Sequence, residues 1–122
     1  VSENSKHIQT REDGGVVEAK LLDRHILDEL IIQQIGEELD SIIRDASSAN
    51  LVLNFEDVEH LSSSALGLLI TLNSRLQDRS GGLCLIHIAD PIADVFRITR
   101  LDKVLRSEPD FAAARAVLLD GE

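Results

Sequence analysis

Apolar and polar residues follow spacings that change along the chain, and each change marks an element. His7 to Arg11 reads as a short strand with Ile8 and Thr10 on one side. Asp13-Gly14-Gly15 is a strong turn signal and Val16 to Leu22 a second strand, so a hairpin is predicted near the N-terminus. Leu27, Ile31, Ile35, Leu39 and Ile42 then recur at helical spacing, with Leu30 and Ile43 widening the stripe. Asp28 stands where it can cap that helix and Glu29 where it meets the positive end of the dipole. Glu37, Glu38, Asp40 and Arg44 lie off the stripe, and the helix is expected to end near Ala46, with Ser47-Ser48 as a short connection. Leu51 to Phe55 is apolar on both faces except at Asn54, the pattern of a strand covered on both sides.

Helical spacing returns from about Ser63 to Arg79, with Ala65, Leu68, Leu69, Leu72 and Leu76 in one stripe. Leu66 and Ile70 lie beside it, so the apolar surface is wider than one packing face needs. Gly67 costs that helix about 1 kcal/mol relative to Ala, which close approach of another backbone would offset. Ser80-Gly81-Gly82 ends it, and Leu83 to Ile88 is the next strand. Asp90-Pro91 signals a further helix, with Asp as cap, Pro at the first helical position and a stripe of Ile92, Val95, Phe96 and Thr99. Val104 to Arg106 reads as a short edge strand. Ser107 or Asp110 caps a last helix through Leu119, with Phe111, Ala114 and Leu118 facing inward. The order β-β-α-β-α-β-α-β-α predicts an α/β fold with a mixed sheet of four to five strands, an N-terminal hairpin and about four helices. Residues 1–6 read as a flexible polar tail and 7–122 as one domain.

Composition narrows the functions available. A chain of 122 residues can bury a real core, and aliphatic residues dominate it: there are three Phe and no Trp or Tyr. So few aromatics, with a formal charge of −10, argue against a nucleic-acid surface. The single Cys84 lies in an apolar strand and is expected to pack as a small hydrophobe. No secretory signal or membrane-length apolar run is present, so the reading is a cytoplasmic chain without a membrane partner.

The candidate chemistry is concentrated in Ser62-Ser63-Ser64, between the apolar strand and the apolar helix. Hydroxyls there can cap the helix, with Ser64 taken as the cap. A phosphate there would face free backbone N–H groups and the positive end of the helix dipole. His60 precedes Ser63 by three residues, but a hydrolase would also need an orienting acid and an oxyanion hole, and the Gly-x-Ser-x-Gly elbow is absent. His7, His25 and His87 fall in different elements and no pair has metal-ligand spacing, so no metal site is expected. Gly14-Gly15 and Gly81-Gly82 are turn glycines rather than a phosphate loop, so no nucleotide or other cofactor is expected either.

The stretch Ser62-Ser63-Ser64-Ala65-Leu66-Gly67 resembles the Asp-Ser-Ser-Gly-Leu-Gly motif of the STAS domain in bacterial anti-sigma factor antagonists, with Ser62 in place of the Asp and Ala65 in place of the first Gly. A second match runs from Asp90-Pro91-Ile92 through Phe96 and Leu101 to Val104-Leu105, and the resemblance extends from about Val16 to the C-terminus. It implies a non-enzymatic, phosphorylation-switched binding module. Ser63 maps onto the phosphoacceptor, with Ser62 and Ser64 as alternatives. The implied partners are an anti-sigma factor that is also a serine kinase, whose capture releases a sigma factor, and a phosphatase that resets the switch. The docking surface is expected at Asp57, His60, Ser62, Ser63 and Ser64 and on the exposed side of the following helix at Leu66, Ile70 and Asn73. Alternatives are a STAS scaffold, a small-molecule-sensing STAS module, and a degenerate two-component receiver in which Asn54 stands where a receiver needs Asp.

Overall fold

The computed structural model describes residues 7–45 and 49–119, so the expected tail at 1–6 and the end of the first helix at Ala46 with its Ser47-Ser48 connection lie outside the described residues. Strands β1 (Ile8–Asp13) and β2 (Val16–Leu21) form the antiparallel hairpin. Its two-residue turn needs positive φ at both central positions, and Gly14 and Gly15 supply them at 59° and 87°. A two-residue strand β3 (His25–Ile26) precedes helix α1 (Glu29–Asp45), which is capped by Asp28: its carboxylate accepts the Leu30 N–H at 2.8 Å. Strand β4 (Asn50–Asn54), a second short strand β5 (His60–Leu61), helix α2 (Ser63–Asp78) and strand β6 (Gly82–Ile86) follow. The chain closes with α3 (Asp90–Ile98), a 3-10 turn at Leu101–Lys103, β7 (Arg106–Glu108) and α4 (Phe111–Leu119).

The main sheet is mixed and five-stranded, in the order β1-β2-β4-β6-β7, with β4 central and parallel to both neighbours. Alternation along its strands divides the core. Leu51 and Leu53 of β4 and Leu83 and Leu85 of β6 pack with the inner stripes of α1 and α2 on one face. Val52, Cys84 and Ile86 pack with Val16 and Ala114 under α4 on the other, where Phe111 and Leu118 close the layer. Asn54 ends β4 on the α4 side and is only 7% exposed. Its amide donates to Glu18 at 2.9 Å and its carbonyl accepts the Glu56 N–H at 2.8 Å. Arg11 donates to Glu18 at 2.6 Å and lies over the Phe111 ring. This buried polar group is thus satisfied, as burial demands, and is not an open phosphoacceptor position.

Several local expectations shift. The inner stripe of α1 is Ile32, Ile35, Leu39 and Ile43, while Leu27 and Leu30 are exposed, because the helix starts only at Glu29 and its face is rotated to meet α2. Ala89, not Asp90, is the N-cap of α3, which places Asp90 in the first turn, and Val95 faces solvent. The edge strand begins at Arg106 rather than Val104, since Leu101–Lys103 form a 3-10 turn first. Ser107 lies within β7, and Asp110 caps α4 by accepting the Ala113 N–H at 2.9 Å. Gly67 has nothing within 4 Å of a built Cβ, so no backbone approaches it. Close approach falls instead at Gly81, where a Cβ would lie 2.0 Å from the Ala49 carbonyl oxygen.

Candidate functional site

The three serines occupy the first positions of α2 and have three different surroundings. Ser62 is the N-cap: its backbone is extended and its Oγ accepts the Ala65 N–H at 3.2 Å. Its own N–H donates to Ile26 O at 3.0 Å, which ties the helix start to β3. Ser64 is therefore not the cap. Its hydroxyl donates to Glu29 of α1 at 2.5 Å. Ser63 is exposed, and its hydroxyl makes no hydrogen bond among the described residues. As the first helical residue it also has a backbone N–H with no intrahelical acceptor. Ala65, where the motif has its first Gly, is 3% exposed and packs into the core beneath the serines.

The surroundings of this helix start are built by the loop after β4. Asn54 bends the chain at Glu56, and Lys20 holds Glu56 and Asp57 at 3.5 and 3.6 Å. His60 and Leu61 then pair with His25 and Ile26 in a parallel two-stranded ribbon. Beyond it lies an apolar groove of about 230 Å³ between the start of α2 and α3, lined by Leu27, His60, Leu61, Leu66, Pro91, Ile92, Val95 and Phe96, with Glu59 at its rim. Leu27, Val95 and Ile70 are 53%, 42% and 39% exposed, so apolar surface continues from the groove onto α2. Of the expected docking residues, His60 and Leu66 line this groove, the serines lie between Leu61 and Leu66 at the start of α2, and Asp57 and Ile70 are exposed but are not part of its lining. Asn73 is not on the exposed side: it is 7% exposed and its amide donates to Val104 O at 3.4 Å.

Sequence reasoning missed Leu27, Pro91 and Val95 as surface residues, because helical spacing assigned Leu27 and Val95 to inner stripes. It also missed that His25 meets His60, which a separation of 35 positions conceals. Cys84 is fully buried, and burial together with the Glu108 charge pushes its thiol up to about 12, which makes it unreactive packing. Among the described residues, no helix is long and apolar enough to cross a membrane.

The STAS domain family model matches residues 9–114. Among solved structures, an anti-sigma factor antagonist from Mycobacterium paratuberculosis is similar with a TM-score of 0.78 at 20% identity, over 91% of this chain and 92% of that one. A putative anti-sigma factor antagonist from Thermotoga maritima is similar with a TM-score of 0.78 at 17% identity, over 91% and 93%. The Bacillus cell fate determinant SpoIIAA in its phosphorylated form is similar with a TM-score of 0.67 at 19% identity, over 90% and 98%. At these identities the structures share the fold, and with the family match over most of its length, the chain belongs to the STAS domain family.

Proposed function

We propose that this domain is an anti-sigma factor antagonist, a non-enzymatic binding module switched by phosphorylation of Ser63. The observation that supports it most is the division of labour among the serines. Ser62 is used as the cap and Ser64 is held by Glu29, which leaves Ser63 exposed and unbonded, between Leu61 and Leu66 that line an apolar groove. A kinase can reach that hydroxyl without disturbing the helix. The replacement of the motif's Asp by Ser62 is compatible with this reading, because position 62 is a cap and Ser and Asp cap about equally well.

In the unmodified state, the groove between α2 and α3 and the exposed Ile70 offer apolar contact to an anti-sigma factor, with the polar serines at the edge of that contact. Capture of that protein, itself a serine kinase, frees its sigma factor. Transfer of a phosphoryl group to the Ser63 hydroxyl, with ATP and Mg²⁺ held by the kinase, adds a charge of about −1.5 to −2 at the contact edge. The helix N-terminus tolerates that charge. Glu29, one residue away through Ser64, opposes it, so the modified site favours release of the Ser64–Glu29 bond and a changed docking edge. A phosphatase returns the site to its first state.

The test is incubation of the chain with its cognate anti-sigma kinase and ATP, followed by peptide mass spectrometry and partner binding. Phosphate is expected on Ser63. Ser63→Ala should bind the partner and resist inactivation, whereas Ser63→Asp should bind more weakly. Modification confined to Ser62 or Ser64 would move the acceptor. A kinase that binds yet modifies none of the three would replace the switch with a permanently docking scaffold.

A further inference from the structure

Register pairing of β3 with β5 sets His25 directly opposite His60. Opposed residues of neighbouring strands project on the same side, and here the two Nδ1 atoms approach to 2.8 Å. The rings are 17° from parallel with centroids 4.8 Å apart. The nitrogens are much closer together than the centroids, so they face each other across the gap. The Glu59 carboxylate completes a set of three donor atoms that all lie within 4.8 Å of one another. The ribbon beneath them is fixed by its backbone. Glu59 and His60 N–H groups donate to Arg24 O at 2.8 and 3.2 Å, the Ser62 N–H donates to Ile26 O, and Ile26 is buried. The three side chains are exposed, which leaves further coordination positions open to water.

We propose that His25, His60 and Glu59 bind one divalent transition-metal ion of the zinc class. Two imidazoles with one carboxylate suit Zn²⁺, Co²⁺, Ni²⁺ or Cu²⁺ and disfavour Mg²⁺ and Ca²⁺, which take oxygen ligands. Zinc bonds to nitrogen of about 2.0–2.1 Å in a tetrahedron place two such nitrogens about 3.3 Å apart. The present gap therefore needs to open by about 0.5 Å, which small χ rotations of exposed rings supply. Without metal, one Nδ1 carries the proton donated to the other. On binding, both Nδ1 lone pairs go to the ion, and the donor ring loses its Nδ1 proton to solvent while its Nε2 takes one up, so both rings bind as the neutral Nε2–H tautomer. Glu59 leaves Arg24, whose Nε is 3.5 Å from its carboxylate, an exposed pair that contributes little. The bound ion staples β3 to β5 immediately before the Ser62 cap. This site does not depend on phosphorylation of Ser63.

The experiment uses the full chain without any histidine tag, stripped with chelator, then titrated with Zn²⁺ by calorimetry and with Co²⁺ by visible absorption. One ion per chain is expected, with a Co²⁺ spectrum of low-coordinate nitrogen and oxygen ligation and a melting temperature that rises with Zn²⁺ concentration. His25→Ala and His60→Ala should each weaken binding by roughly tenfold or more, since even outer-shell partners cost that much. His87→Ala, outside the cluster, should bind as the parent chain does. Circular dichroism checks that the variants fold, and the Co²⁺ spectrum of the unmutated chain reports the ligands independently of them. Absence of one-to-one binding, or binding that survives in a folded His25→Ala/His60→Ala double variant, overturns the proposal.

Discussion

The serines at the start of α2 should separate cleanly in a stability series, because only one of them supports the helix. Ser62→Ala removes the Oγ that accepts the Ala65 N–H and leaves that donor without its side-chain partner. Loss of such a cap costs about 0.5–2 kcal/mol. The bond is 3.2 Å long and Ser62 is only half-buried, so we expect about 1 kcal/mol, in the middle of that range. For a domain of this size, that lowers the melting temperature by about 3–6 °C. Ser63→Ala removes an exposed hydroxyl with no bond and should stay within about 0.5 kcal/mol of the parent. Ser64→Ala loses an exposed link to Glu29, worth about 0.5 kcal/mol in that setting. Ser62→Asp restores both cap and motif residue and should match the parent or exceed it by a few tenths of a kcal/mol. Urea denaturation monitored by circular dichroism, with thermal melts alongside, measures all four. If Ser63→Ala falls as far as Ser62→Ala, position 63 is structural and Ser63 is not a free acceptor. If Ser62→Asp is as unstable as Ser62→Ala, position 62 is not acting as a cap.

Two further outcomes follow from the packing. Gly81→Ala should destabilise by about 1–3 kcal/mol, since its Cβ would overlap the Ala49 backbone, whereas Gly67→Ala, with open space around it, should stabilise α2 by about 1 kcal/mol; urea midpoints of the pair decide it. The native Cys84 thiol should resist a disulfide reagent at pH 8 and react only as the chain unfolds. Its proton is held to about pH 12 in the fold against a usual value of 9.0. The folded state therefore binds the proton where the unfolded state loses it, and this contribution to stability, complete below pH 9, is lost as pH rises toward 12. Rapid modification of the folded chain, followed by colorimetric release of the reagent, would contradict that burial.

Local spacing and punctuation determined the hairpin, the three main helices, the central strand and the position of the serines at a helix start. These are short-range properties: Gly14-Gly15 needs only its own φ angles, and the apolar stripes of α2 need only their own periodicity. The motif at Ser62 to Gly67 was legible for the same reason, as consecutive residues. What the tertiary structure decided is which side of each element meets the core. Leu27, Leu30 and Val95 have helical spacing yet face solvent, and Asn73 lies off the apolar stripe of α2 yet is buried, because the partner surfaces of α1, α2 and α3 set the rotation. Only the fold could assign one role to each serine, since Glu29, which holds Ser64, is 35 residues away. The same holds for His25, Glu59 and His60, which share no spacing rule and meet because two strands of two residues pair in register. Sequence periodicity reports how a segment can be buried, and contacts between distant segments determine where that burial occurs and which polar groups are left free.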